Sequence, residues 1–165
     1  MGASRIAGFI FLALVVSCGA AQKAKPAKPM LPPAEQIART LFWEDAQHPQ
    51  VPGDTLWNRA EKRAGAKFDT DVAVRVTAII REIDRPHAFS CFNSRKLWSK
   101  PIPKDPASRK AWARCMKIGN EMVMGCYAPK WKVDHYHKAT INPAWNRGMQ
   151  FLGQVGKHLL WRARA

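Results

Sequence analysis

Apolar residues recur every three or four positions through most of the chain, and the pattern breaks into shorter pieces near its end. In "PPAEQIARTLFWEDA", Ile37, Leu41 and Glu44 fall on one stripe behind two prolines suited to a helix start. A second helix is expected in "DTLWNRAEKRA", with Asp54 as its cap. A third, in "DTDVAVRVTAIIREID", presents Val72, Val76, Ile79 and Ile83 as an apolar face before Arg85-Pro86 ends it. The fourth begins at Asp105-Pro106, turns Ala111, Cys115, Ile118 and Met122 inward and closes at Gly125. Beyond Gly125, breaks at Pro129, Asn142-Pro143, Gly148, Gly153 and Gly156 leave room only for short strands and loops. The order predicts an α+β fold, a helical domain with a small C-terminal β element.

The front of the chain follows another rule. Arg5 precedes "IAGFIFLALVV", an apolar run short for a bilayer span and followed by small residues, the layout of a secretory signal peptide. The run ends in "VVSCG", which resembles a lipobox, so residues 1–17 are expected to be removed and Cys18 to be acylated. Cleavage a few residues later, at "GAAQ", is the alternative. Residues 18–33 include "AQKAKPAKPMLPP", whose lysines, alanines and prolines build no core and read as an extended tether. Residues 34–165 are then one domain's worth of chain.

Charge narrows the partners. The chain carries a formal +15, of which only Arg5 lies in the leader. An exported protein seldom meets nucleic acid, so this balance points to anionic lipid head groups or wall polymers, and no nucleic-acid partner is expected. Besides Cys18 there are Cys91, Cys115 and Cys126, an odd number that allows at most one internal bridge. Their spacings match no zinc motif.

Two places carry candidate chemistry. Glu44 shares its stripe with Ile37 and Leu41 and follows Phe42 and Trp43, surroundings expected to desolvate a carboxyl group and raise its pKa. A carboxylic acid still protonated near neutral pH can donate to a glycosidic oxygen, as in the lysozyme type case. Alternatively Glu44 sits at a frayed helix end and pairs with Arg39 or a lysine. Asp45 makes a poor second carboxylate, because helix neighbours diverge by ~100°. Glu82, Asp84 and Asp134 remain possible, and a one-acid mechanism in which the substrate's own acetamido or 6-hydroxyl group attacks, lytic transglycosylase chemistry, fits best. The second place is "KVDHYHKATINPAW". There Asp134, His135 and His137 could ligate a metal, with His48, His87 or His158 as a further ligand, or they could wall a sugar-binding groove. No HExxH-like pair favours the metal, and neither metal nor cofactor is expected.

Several stretches taken in order resemble one family. "IARTLFWED" looks like the first helix of the SleB-type (spore-cortex-lytic, CwlJ-related) cell wall hydrolases, "LWNRA" resembles their "NR" signature and "AFSCFN" their "QFSCW" loop. "VDHYHKATINPAW" and "VGKHLLW" resemble, in the same order, their "HY" segment with its proline-tryptophan turn and their closing strand. The resemblance implies a lysozyme-related α+β fold and cleavage of peptidoglycan glycan strands, with Glu44 as general acid. It implies that Phe89, Ser90 and Asn93 line the groove and that His135, Tyr136, His137 and Trp145 hold the glycan opposite. Aromatic faces suit sugar rings, and histidines hydrogen-bond acetamido and hydroxyl groups. The chain departs from the family in lacking a second glutamate after Glu44, in a shorter stretch before Asn58-Arg59, and in Leu160-Trp161 where the family has "FY". A peptidoglycan-binding module without turnover and a zinc-dependent amidase are the competing readings.

Overall fold

The computed structural model describes residues 31–86, 88–89 and 100–164. Helix α1 (Pro33–Asp45) starts on a proline, whose missing N–H is no loss in a first turn. Its Ile37, Ala38 and Leu41 are fully buried. Helix α2 spans Gln50–Ala64, α3 Val72–Asp84 and α4 Pro106–Met124. Asp105 caps α4 by accepting the Ser108 N–H, and Gly125 ends it in the left-handed region at φ 79°. Ala111, Cys115, Ile118 and Met122 of α4 all face the core, as their spacing predicts. α4 packs chiefly against α1, and closely: a Cβ on Gly119 would lie 2.4 Å from the Ala34 carbonyl oxygen.

Two helices depart from their sequence patterns, both because polar groups find buried partners. Helix α2 begins before Asp54, which is no cap: it is fully buried inside the helix. Its carboxylate accepts from the Tyr127 hydroxyl (2.5 Å), Gln50 Nε2 (2.8 Å) and the N–H groups of Lys130 and Trp131 (3.0 and 2.9 Å). In α3, Ile79 and Ile83 are buried as expected, but Val72 is 54% exposed and Arg75 and Glu82 complete the inner face. The Arg75 guanidinium donates to the carbonyls of Phe68, Asp69 and Val123, tying the start of α3 to the end of α4.

The segment after α4 is held to α2 before it becomes a strand. Asn58 Nδ2 donates to the Trp131 and Val133 carbonyls (2.8 and 3.0 Å), and Arg59 Nε donates to the Asp134 carbonyl (2.6 Å). Strands β1 (His135–Lys138), β2 (Met149–Val155) and β3 (His158–Ala163) then form an antiparallel sheet in the order β1-β3-β2, with β1 at an edge. His135 and Phe151 both pair with Trp161, and a bulge between Phe151 and Gly153 shifts the β2 register. Leu160 on the inner face packs with Val51 and Val133 in a small second core. The architecture is α+β: four helices and a three-stranded C-terminal sheet among the described residues.

Candidate functional site

Glu44, the next-to-last residue of α1, is half-buried. Tyr136 of β1 donates its hydroxyl hydrogen to Glu44 Oε2 across 3.1 Å. Two residues read separately from the sequence, 92 positions apart, thus meet at one point. The histidines on either side of Tyr136 do not join them. Successive side chains of a strand point to opposite faces, so His135 and His137 lie on the other side of the sheet from Tyr136. The expectation that His135, Tyr136 and His137 together hold the glycan opposite Phe89, Ser90 and Asn93 is corrected to this extent: Tyr136 faces away from the two histidines.

That other face is aromatic. The Trp145 ring lies 5.2 Å from the His135 ring and 5.4 Å from that of His137, centroid to centroid. His137 lies side by side with Trp161, nearly coplanar at 14° with centroids 5.8 Å apart, and Trp161 meets Phe151 at 5.1 Å. Trp145 is 42% exposed and Phe151 52%, so the rings form a surface open to a partner. Trp161 Nε1 donates to His137 Nε2 at 2.9 Å, and His137 Nδ1 lies 2.9 Å from the Lys138 carbonyl oxygen. The indole N–H needs a lone pair on Nε2, which places the imidazole proton on Nδ1 and engages both nitrogens. His137 therefore has no lone pair to offer a metal in this arrangement. Burial, then the nearby Arg59 charge, holds the His135 pKa below its usual value. Among the described residues, no three His, Cys, Asp or Glu side chains come together to hold a metal ion.

Behind Tyr136 lies a buried cluster that the sequence did not announce. Asp45 diverges from Glu44 as helix neighbours must, and its side chain is sealed at 4% exposure. Its Oδ1 accepts from the Gln47 and His48 N–H groups (3.1 and 3.3 Å), and its Oδ2 lies 3.3 Å from His48 Nδ1 and 2.8 Å from His158 Nε2. The His158 contact lies off the axis of a linear hydrogen bond, and Nδ1 of that ring has no hydrogen-bond partner among the described residues. Burial pushes the Asp45 pKa up, but the His48 N–H, the His158 charge, the Gln47 N–H and Lys157 outweigh it and hold the pKa below the usual value. His158 titrates below its usual value, because burial outweighs the attraction of Asp45. The ring of His158 meets Tyr136 edge-on, with centroids 5.1 Å apart.

The other candidate acids are placed differently. Glu82 is fully buried, its Oε1 in charge contact with Arg63 Nε and, at 3.8 Å, with Arg85 Nη1, without aligned hydrogen bonds among the described residues. Such a carboxylate cannot reach a polymer. Asp134 Oδ2 accepts from the Ala163 N–H at 2.9 Å and fastens the end of β3. Phe89, expected on the groove wall, is a core residue at 1% exposure. Ser90 and Asn93, with Cys18, His87 and Cys91, lie outside the described residues. Cys115 is a buried free thiol, its pKa pushed up to about 12 by burial, and Cys126 is an exposed one. A surface cleft of about 440 Å³ between α2 and α3 is lined by Arg63, Thr77, Arg81 and small apolar residues; it contains no carboxylate and none of the residues around Glu44.

Sequence reasoning missed Asp45 and His158 as partners, and also the positional role of Asn58 and Arg59. The one local signal for the cluster was Asp45 with His48 three residues on, just past a helix end. No protein-family model, curated protein or solved structure matches this chain.

Proposed function

We propose that the protein is a peptidoglycan hydrolase that cleaves the glycan backbone by a lytic transglycosylase step, with Glu44 as its single general acid. The observation that carries this reading is the Tyr136–Glu44 hydrogen bond, which joins the glutamate ending the first helix to the "HY" segment. Glu44 as an acid gives its proton to the oxygen between two sugars as the bond from that oxygen to C1 breaks. The 6-hydroxyl of the sugar that keeps C1 attacks it, closing an anhydro ring, and its proton returns to the Glu44 carboxylate. No water is consumed, and one carboxyl group serves both halves of the step.

A one-acid scheme suits the disposition of the other carboxylates. Glu82 is sealed, Asp134 is engaged by Ala163, Asp45 is turned inward, and Asp84 is exposed at the last position of α3. A glycan passing Glu44 at edge strand β1 can continue onto Trp145, His135 and His137, where rings stack on sugar faces. Ser90 and Asn93 are proposed groove residues through the family resemblance alone. The proposed setting is the cell envelope, with an acyl chain on Cys18, the basic tether and the +14 charge left after loss of Arg5 (26 basic against 12 acidic residues) keeping the domain near anionic wall material. Among the described residues no helix is long and apolar enough to cross a membrane.

Digestion of purified sacculi followed by mass analysis of the released fragments tests the reading. Anhydro-muropeptides are expected from the native chain. Glu44→Gln should bind sacculi undiminished while turnover falls by ~10²–10⁴-fold, since the amide keeps the shape and cannot donate the proton. Reducing ends would instead indicate hydrolysis, free stem peptides an amidase, and binding without any release a non-catalytic module.

A further inference from the structure

We infer that Asp45 and His158 are a positioning pair that sets the Glu44 carboxyl group through Tyr136. The inference rests on the role proposed for Glu44. A single carboxyl group that first gives and then takes a proton has to hold one orientation against the substrate, and its hydrogen-bond partner Tyr136 sits on a four-residue edge strand. An edge strand that short is a weak support on its own. The fold supplies a second support on the other side of the ring. His158 presses edge-on against Tyr136 at 82°, and His158 is itself only 3% exposed.

What orients His158 is Asp45. Neither nitrogen of the ring has an aligned hydrogen-bond partner among the described residues, and Asp45 Oδ2, 2.8 Å from Nε2, is the charged group against it. Asp45 is in turn immobilised by the backbone N–H groups of Gln47 and His48, which lock the turn leaving α1. His48 closes the arrangement from behind: its ring fills the space over Gly156, where a Cβ would lie 2.5 Å from Cε1, so the turn leading into His158 is held as well. Glu44 and Asp45 are consecutive residues of one helix turn. One meets Tyr136 at its hydroxyl, and the other backs the histidine that packs against its ring.

Two readouts test the pair. The first is kinetic, on soluble uncross-linked glycan strands. Asp45→Asn should lower kcat by about tenfold with KM nearly unchanged, because orientation and not binding is lost. Tyr136→Phe should do the same, and the double variant should be no slower than the slower single one, since both changes break the same linkage. Additive losses, or a fall in activity that only tracks the folded fraction, would overturn the inference. The second readout is independent of turnover. The chain has two tyrosines, Tyr127 and Tyr136, so selective labelling gives two sets of ring signals. Asp45→Asn should move those of Tyr136 and leave those of Tyr127 in place; unmoved Tyr136 signals would sink the idea. If Asp45→Asn does not fold, His158→Gln carries both measurements. Should the native chain release no fragments, or Glu44→Gln stay active, the proposed function fails, while the Tyr136 signals still decide whether Asp45 seats that ring.

Discussion

Glu44 and Asp45 are the same chemistry at adjacent positions, and one helical step separates their fates. Glu44 stays half-buried beside a tyrosine hydroxyl; Asp45 enters the interior and meets two histidines. Asp54 shows how far a buried carboxylate depends on its donors. Burial raises its pKa, and hydrogen bonds from Tyr127, Trp131, Gln50 and Lys130 offset part of that rise. The Tyr127 hydroxyl is pushed up in turn, by burial first and then by the Asp54 charge. Asp54→Ala leaves a buried hydroxyl and two backbone N–H groups without an acceptor, each costing about 1–3 kcal/mol. The expected loss is ~3 kcal/mol or more in chemical denaturation, with Asp54→Asn losing less because its amide oxygen still accepts. Equal losses from the two variants would mean that the cavity and not the missing acceptor dominates.

At the scale of elements, close approach and strand alternation decide most. Gly→Ala inside an exposed helix normally stabilises by ~1 kcal/mol through propensity. At Gly119 the sign should reverse, because the new Cβ would meet the Ala34 backbone oxygen at 2.4 Å and force α1 from α4. A loss of ~1–3 kcal/mol is expected for Gly119→Ala, typical of overpacking, and a rise in Tm would show that the two helices are not in contact there. In the sheet, the two-residue period gives "HYH" two duties. Tyr136 faces inward to Glu44 and His158, and its flanking histidines build the aromatic face with Trp145 and Trp161. The hairpin is pinned at its turn, where Gly156 takes φ +53° beneath His48, and at its end, where Asp134 binds the Ala163 N–H.

For the whole molecule, buried histidines set the response to acid. His158 and His135 both resist protonation in the fold relative to their usual value of 6.5. Below that pH the unfolded chain binds more protons than the folded one, so their contribution is complete above about 6.5 and is lost as pH falls toward the folded values. Asp45, also depressed, adds a further loss below 3.8; Asp54, raised, acts in the opposite direction, losing its contribution as pH rises through its folded value. The denaturation midpoint is therefore expected to drop between pH 7 and pH 5, with His158 contributing at most ~1.4 kcal/mol per pH unit. His158→Gln should be less stable at pH 7 and show a flatter dependence over the same interval; an unchanged slope would place the titration elsewhere. At the other end of the chain, if Cys18 carries the proposed acyl chain, Cys18→Ala is expected to move the protein from the membrane pellet to the soluble fraction and to leave the proposed action on isolated sacculi unaltered. Native protein that is already soluble and begins after Cys18 would overturn the proposed acylation.

The features determined by sequence alone are those encoded within a few residues. Prolines at the start of α1, the Asp105 cap, the α4 stripe and Gly125 at its end set helix boundaries, because capping and periodicity act over one or two turns. The switch to short segments after Gly125 foretold the sheet for the same reason. Only the tertiary structure decided which charges go inside. Arg75 and Glu82 joined Ile79 and Ile83 on the inner face of α3 while Val72 stayed exposed, and Asp54 proved a buried hub and not a cap, because the partners of Arg75 and Asp54 lie as far as 48 and 77 positions away. It also decided that Glu44 meets Tyr136 while the adjacent histidines turn away and Asp45 joins His158. A buried polar group is stable only where distant donors and charges converge on it, and no local pattern in the chain carries that convergence.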